Sequence, residues 1–182
     1  MHNRLGRQTV ALERPSVILS HAAVGGRQEG DGPLSDYFDH LCEDSFFGEK
    51  TWEKAESAMQ KMALSRALEK AALTPEELDY ILAGDLLNQC IGTSFGLRDF
   101  GIPFYGLYGA CSTMGEGLAL ASLLLAGGFG TTIAVLFASP RRFCSMHAAI
   151  ISKDFPAPTQ WASSVFPPIS TLAMAFFWCG FN

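Results

Sequence analysis

The chain has 182 residues, of which 48% are hydrophobic and 17% charged, and its formal net charge is −5. That length fits one domain of ordinary size. A nucleic-acid-binding protein normally carries a basic face, so the negative charge argues against that class, and no nucleic-acid partner is predicted. The five cysteines are odd in number and lack a Cys-x-x-Cys pair, which indicates neither a disulfide framework nor a zinc site and suits a reducing compartment. We therefore predict no metal site and no cofactor.

The N-terminal region predicts one strand followed by a loop. Residues 16–20 form a short apolar run that is typical of a buried strand. Residues 21–33 are rich in glycine and predict a loop, but their glycines lack the spacing of a phosphate-binding motif. No long apolar segment follows the first arginines, so we expect no signal peptide and no secretion.

The clearest helix is predicted over residues 51–73. Alanine and methionine recur there at steps of three and four, and Thr51 can cap the start. Thr74, Pro75 and Glu77 then have the spacing of a capping box with proline at the first helical position, which predicts a second, short helical turn. Residues 79–83 are predicted to form a strand directly after it.

Polar residues follow that strand in the run Gly84-Asp85-Leu86-Leu87-Asn88-Gln89. Open α/β sheets bind ligands just beyond the carboxyl ends of parallel strands, which makes Asp85, Asn88 and Gln89 candidate ligand-binding residues. The alternative is that Asp85 caps the next helix while the amides satisfy loop backbone. The sequence leaves both interpretations open.

Cys111 lies between a predicted strand, residues 102–108, and a predicted helix, residues 113–126, whose Thr113 and Glu116 have capping-box spacing. A cysteine at a helix start meets backbone N–H groups and the positive end of the helix dipole, which favour the thiolate. Cys111 is therefore the candidate nucleophile, and a structural buried cysteine is the alternative. Residues 131–138 predict a further strand. Strands alternating with helices predict an α/β fold with a mostly parallel sheet and helices on its faces.

Six segments, in order within residues 5–140, resemble the thiolase-like superfamily and, within it, the stage V sporulation protein AD family of endospore-forming bacteria. They are Asp31-Gly32-Pro33-Leu34, Trp52-Glu53-Lys54-Ala55-Glu56, the run 83–89, Ile102-Pro103-Phe104, the run 106–113 and Gly127-Gly128-Phe129. Thiolase-like proteins consist of two packed halves, and the match covers the first. The resemblance thus implies half of a thiolase-like fold, over residues 1–140.

The family implies a sporulation protein that binds dipicolinic acid and supports its uptake into the developing spore. Its partners would be other stage V sporulation membrane proteins, and the full-length protein would be a homodimer. The implied location is the cytoplasm or forespore, peripheral to the inner spore membrane. Candidate ligand contacts are Asp85, Asn88, Gln89 and Ser112 beside Cys111, with Asp85 orienting the site or contacting calcium.

The alternative function is a thiolase or β-ketoacyl-synthase type of acyltransferase in which Cys111 accepts the acyl group. In such enzymes the second half supplies the base and the oxyanion donors, so we do not expect this chain alone to turn over substrate. A folded fragment without function is the third hypothesis.

Residues 141–182 are predicted to be a separate, divergent tail. From residue 143 onwards only Lys153 and Asp154 are formally charged. We hypothesise that a frameshift or a degraded gene truncated the family pattern here, and we expect a disordered or mispacked tail. Without a second half, the small-residue face of helix 113–126 (Gly115, Gly117, Ala119, Ala121) is expected to be exposed or to self-associate.

Overall fold

The computed structural model describes residues 4–5, 7–87, 89–139, 145–154 and 172–173, with the side chains of Cys111, Ser139, Leu172 and Ala173 outside that description. The strands in this part are β1 (Arg4–Leu5), β2 (Thr9–Val10), β3 (Val17–Gly25), β4 (His40–Leu41), β5 (Tyr80–Ala83), β6 (Phe104–Gly106), β7 (Thr132–Ser139), β8 (Ser145–Ser152) and β9 (Leu172–Ala173). The α-helices are α1 (Arg27–Gly30), α2 (Trp52–Ala71), α3 (Ile91–Leu97) and α4 (Thr113–Ala126). Single 3-10 turns lie at Ser35–Tyr37, Pro75–Glu77, Arg98–Phe100 and Ala110–Ser112.

A six-stranded sheet in the order β4-β3-β8-β7-β5-β6 forms the centre of the molecule. The pairs β3–β4, β5–β7 and β5–β6 are parallel, whereas β8 is antiparallel to both of its neighbours. The predicted α/β class with a mostly parallel sheet is therefore confirmed. A small antiparallel sheet, β1-β2-β9, is formed separately.

The strand β8 was not predicted from the sequence. Its residues pair with β3 on one side and with β7 on the other, and nearly all of them are buried. The predicted boundary after residue 140 thus falls between two neighbouring strands of one sheet. Most of the remaining tail, residues 155–171 and 174–182, lies outside the described residues, and its assignment stays a prediction.

The glycine-rich loop predicted over residues 21–33 is wrong in its first half, because β3 continues to Gly25. The continuous pairing of β3 with β8 extends the strand. Gly25 marks close packing, since a Cβ there would lie 2.9 Å from the Cδ2 atom of Leu41. Glycine at this position therefore marks a tight contact at the strand end.

Helix α2 covers one face of the sheet and α4 covers the other. Thr51 caps α2 by accepting a hydrogen bond from the Lys54 amide (3.4 Å), and the capping box at Thr74 and Glu77 is formed, both as predicted. Neighbouring strand residues point to opposite faces, so Ile81 packs in the α2 core and Leu82 in the α4 core. Within the described ranges, no helix has the length and hydropathy needed to cross a bilayer.

Helix α4 has the bounds predicted for it, but its cap and its faces differ from expectation. Ser112 occupies the N-cap without a side-chain bond, so Thr113 and Glu116 form no capping box. The small residues pack on the sheet: a Cβ at Gly117 would lie 2.6 Å from Cγ1 of Val135, and Ala119 and Ala121 are buried, whereas Gly115 faces open space. The expectation of an exposed small-residue face is therefore wrong. The outward side chains are large and apolar, with Met114, Leu120 and Leu123 48%, 39% and 41% exposed.

Candidate functional site

Two loops meet at the carboxyl ends of β5 and β6. Because these strands are parallel neighbours, the loops that follow them lie at the same edge of the sheet. The Leu107 amide donates a hydrogen bond to the Ala83 carbonyl (2.8 Å), and a Cβ at Gly84 would collide with the Leu107 carbonyl oxygen. The first loop carries the candidates after β5, and the second leads into the Cys111 turn.

The backbone of Cys111 lies in the turn immediately before α4, at the predicted strand-to-helix junction. Its side chain is outside the described part of the chain, so its contacts and reactivity stay predictions. Ser112 is exposed, and its hydroxyl donates to the Gly109 carbonyl (2.9 Å). The amides of Ser112 and Thr113 donate to the carbonyls of Gly109 and Ala110, so these two donors of the turn are already engaged. The positive end of the α4 dipole favours an anion at this turn.

Asp85 is only 2% exposed and caps α3. Its Oδ1 accepts a hydrogen bond from the Cys90 amide (2.8 Å), and its Oδ2 accepts from the amide (3.1 Å) and hydroxyl (3.2 Å) of Thr93. The capping alternative is thus observed, and a ligand-binding role for Asp85 stays a prediction. Gln89 is exposed in the same loop, and Asn88 lies outside the described residues.

Backbone strain is concentrated in these two loops. Gln89 (φ 50°), Cys90 (φ 69°) and Ala110 (φ 46°) adopt the left-handed region that disfavours residues with a Cβ. Such strain persists where surrounding contacts hold it, often at functional sites. Cys90 supplies one such contact, because its Sγ donates to the Leu107 carbonyl (3.3 Å). Burial and then the charge of Asp85 raise the pKa of the Cys90 thiol, so this sulfur ties the loops together as a neutral group.

The sequence analysis missed two buried polar residues of α2 that contact this region. Glu56 accepts a hydrogen bond from the Leu86 amide (2.8 Å), and Gln60 donates one to Oγ1 of Thr93 (2.9 Å). The available signal was their position: the row 56, 60, 64, 68 repeats every four residues and ends in two buried leucines. A glutamate and a glutamine in such a row belong to the buried face of the helix.

A pocket of about 340 Å³, including its open mouth, lies between the start of α2 and the β5–α3 loop. It is mainly apolar, and its lining comprises Ser45, Trp52, Ala55, Glu56, Met59, Leu86, Leu87, Ala138, Ser145 and Met146. Among the described residues, no group of three or more histidine, cysteine or acidic side chains is gathered where it could hold a metal ion.

The histidines of the sheet lie away from the Cys111 turn. His147 is on β8, which is the third strand from β6 in the sheet, and neighbouring strands lie about 4.8 Å apart. Its ring stacks on Phe137 (5.3 Å between centroids), and burial, with the nearby charge of His21, lowers the pKa of His147. His21 is one strand further away, on β3, so neither imidazole is positioned as the base for a thiol at residue 111.

Known proteins resemble this chain in both sequence and fold. The family model described as stage V sporulation protein AD (SpoVAD) matches residues 6–170. Over 156 residues the chain is 36% identical to stage V sporulation protein AD of Bacillus subtilis (strain 168). This match covers 86% of the chain and 44% of that protein. The chain thus spans less than half the length of this curated relative.

Three solved structures share the fold. The priming β-ketosynthase of the R1128 polyketide pathway superposes with a TM-score of 0.55 at 17% identity, covering 81% of this chain and 52% of that one. A variant of OleA from Xanthomonas campestris superposes with a TM-score of 0.55 at 13% identity, and the match covers 78% of this chain and 59% of that one. For 3-oxoacyl-[acyl-carrier-protein] synthase III from Aquifex aeolicus VF5, the TM-score is 0.52 at 17% identity, and the match covers 76% of this chain and 54% of that one.

At these identities the structural matches show the fold alone, and they confirm the predicted half of a thiolase-like fold. The sequence match extends through the loops after β5 and β6 and continues to residue 170. Because it covers most of the sequence, the chain belongs to the stage V sporulation protein AD family.

Proposed function

We propose that this chain carries a dipicolinic acid site of a sporulation protein and thereby supports uptake of that compound into the developing spore. The supporting observation is the meeting of two strained loops at the start of α4. One contributes exposed Gln89, and the other contributes exposed Ser112 next to Cys111. The choice of ligand rests on the family membership, and the two loops are the location that we propose for it.

Dipicolinate is a flat pyridine ring with two carboxylates, and these groups set what a site must offer. The positive end of the α4 dipole suits one carboxylate, and the side chains of Ser112 and Gln89 suit the other carboxylate or the ring nitrogen. Asn88 would add a further amide. Asp85 orients the loop, because both of its oxygens already accept hydrogen bonds. Glu116, in the first turn of α4, carries a negative charge that would repel the carboxylates of the ligand.

Calorimetric titration of the 182-residue chain with dipicolinate tests this proposal, with benzene-1,3-dicarboxylate as the ligand lacking the ring nitrogen. We expect saturable binding that Gln89→Ala and Ser112→Ala each weaken about tenfold, the usual cost of a lost hydrogen bond to a charged group. Glu116→Gln should tighten binding by about threefold, because it removes a partly screened negative charge. Ser65→Ala, exposed on α2, is the matched control.

A chain that shows no saturable dipicolinate binding would contradict the proposed function. Equal affinity in wild type and in both alanine variants would instead reject this location of the site. A parallel titration with calcium tests the calcium contact that the family resemblance implies for Asp85, and Asp85→Asn should then abolish calcium binding.

The second candidate is acyl transfer through Cys111, favoured by the turn that presents its backbone at the start of a helix. An acyl-thioester should then label the chain covalently, and Cys111→Ala should abolish the labelling. Under the binding proposal, Cys111→Ser keeps dipicolinate affinity. Labelling without dipicolinate binding would favour the acyltransferase. If the chain shows neither labelling nor dipicolinate binding, a folded fragment without function is favoured.

The proposed partners are the other stage V sporulation membrane proteins, which would carry the ligand across the bilayer while this chain stays peripheral to the inner spore membrane. Co-purification of the chain with those proteins from sporulating cells, after detergent extraction, is the corresponding measurement. Recovery of the chain without them would argue against this partnership.

A further inference from the structure

Glu56 is a buried carboxyl group on the second turn of α2, and it is only 7% exposed. Its Oε1 accepts a hydrogen bond from the Leu86 amide at 2.8 Å, across 30 residues of sequence. Its Oε2 is also buried and has no hydrogen-bond partner among the described residues. A buried carboxyl group costs free energy unless its contacts compensate, so this residue calls for an explanation.

The explanation lies in the loop that Glu56 contacts. Asp85 holds the end of this loop by accepting hydrogen bonds from the amides of Cys90 and Thr93, and Glu56 holds its start by accepting one from the amide of Leu86. One turn further along α2, Gln60 donates to Oγ1 of Thr93. The loop is thus held by its own aspartate and by Glu56, while Gln60 ties α2 to the start of α3.

The environment of Glu56 favours its neutral form. Burial raises the pKa of this carboxyl group, the negative charges of Asp85 and Glu53 raise it further, and the amides of Leu86 and Leu87 oppose the shift. The other elements around it contribute neutral pocket residues, Ser45, Ser145 and Met146. A neutral Glu56 still accepts the Leu86 hydrogen bond and adds no negative charge beside an anionic ligand.

We propose that Glu56 is a positioning residue: its bond to the Leu86 amide fixes the loop of residues 85–90 and so sets the affinity for dipicolinate. The inference rests on the proposed function, because that loop carries Asp85, Asn88 and Gln89. Glu56 itself does not touch the ligand. An amide at this position keeps the acceptor, whereas a thioether of similar length loses it.

The test compares Glu56→Gln and Glu56→Met in the full chain, with Glu69→Gln, exposed on the same helix, as matched control. Three quantities are measured: dipicolinate affinity between pH 5.5 and 8, amide hydrogen exchange of residues 84–90, and the thermal midpoint. Glu56→Met should change the midpoint only slightly, because the gain from removing a buried carboxyl group is offset by leaving the Leu86 amide without its acceptor. It should speed loop exchange and weaken dipicolinate binding, each about tenfold.

Glu56→Gln should retain wild-type loop protection and wild-type affinity at the low end of the pH range. Affinity in the wild type should fall relative to Glu56→Gln as the pH rises and Glu56 ionises, whereas Glu69→Gln should follow the wild type. Comparing variants at equal pH cancels the titration of the ligand itself.

Wild-type loop protection in Glu56→Met, or equal losses in Glu56→Gln and Glu56→Met, would overturn the inference. If the wild-type chain binds no dipicolinate, the proposed function fails, yet loop exchange still decides whether Glu56 positions residues 85–90. The two failures therefore have different signatures.

Discussion

Gly84 shows how one residue holds the candidate site together. A Cβ there would collide with the Leu107 carbonyl oxygen and would lie 3.0 Å from Cγ2 of Thr113. The neighbouring backbone bond, Leu107 amide to Ala83 carbonyl, fixes the same approach. The close contact between the loops therefore requires glycine at this position.

We expect Gly84→Ala to lower the free energy of unfolding by about 1–3 kcal/mol, because backbone must move to admit the methyl group. The matched control is Gly115→Ala, since nothing lies within 4 Å of a Cβ there. That change should raise stability by about 0.5–1 kcal/mol, as alanine is the better helix former. Urea unfolding measures both. A Gly84→Ala chain as stable as wild type would contradict the required close contact.

Two buried titratable residues should give the stability opposite dependences on pH. Burial lowers the pKa of His147, so the unfolded chain binds the proton first, and stability falls as the pH drops below the usual histidine value of about 6.5. Burial raises the pKa of Glu56, so its contribution is present at low pH and is lost as the pH rises through that raised value.

Urea unfolding at a series of pH values from 5 to 8 separates the two contributions. His147→Phe should remove the decrease in the free energy of unfolding on acidification. Glu56→Gln should remove the decrease in the free energy of unfolding that occurs as the pH rises. Wild-type slopes in both variants would show that other groups control the pH dependence.

Strand β6 is the element that ends the sheet on the side of the candidate site. Tyr105 on this strand is 49% exposed, and Tyr108 just beyond it is 70% exposed. The outer backbone groups of an edge strand are free to pair with another chain. The family resemblance implies a homodimer for the full-length protein, and we propose that a second copy adds to β6 at this edge.

Tyr105→Lys should prevent such pairing, because charged side chains on edge strands oppose sheet extension. Sedimentation velocity over a range of concentrations should show a dimer for the wild type and a monomer for the variant. Tyr37→Lys is the control, since Tyr37 is 77% exposed and lies in the turn before β4. A dimer that survives Tyr105→Lys would move the interface elsewhere.

For the molecule as a whole, the sequence predicted those features that depend on neighbouring residues. The bounds of α4 and the Thr51 cap follow from local spacing and from side-chain bonds to nearby amides. The strand β8 was missed, because its formation depends on β3 and β7 as partners on either side. Glu56 was missed for the same reason, since its burial depends on an amide 30 residues away.

The outward face of α4 gives the molecule an apolar surface formed by Met114, Leu120 and Leu123. The chain spans 44% of its curated relative, and we expect the part of that relative outside the match to cover the corresponding face. The isolated chain should then bind a hydrophobic dye strongly, and Leu120→Glu with Leu123→Glu should reduce that signal at least twofold without lowering stability. Unchanged dye fluorescence would place the exposed apolar surface elsewhere.

The position of β8 between β3 and β7 has a consequence for how the protein is made. During synthesis β3 leaves the ribosome early, but along most of its length it pairs with β8, which follows more than a hundred residues later. Until then one side of β3 carries unsatisfied backbone groups and invites pairing with other nascent chains. Closing so distant a pair is entropically costly and slow, so we expect the sheet to form only after residue 152 has emerged and β3 to be prone to aggregation until then.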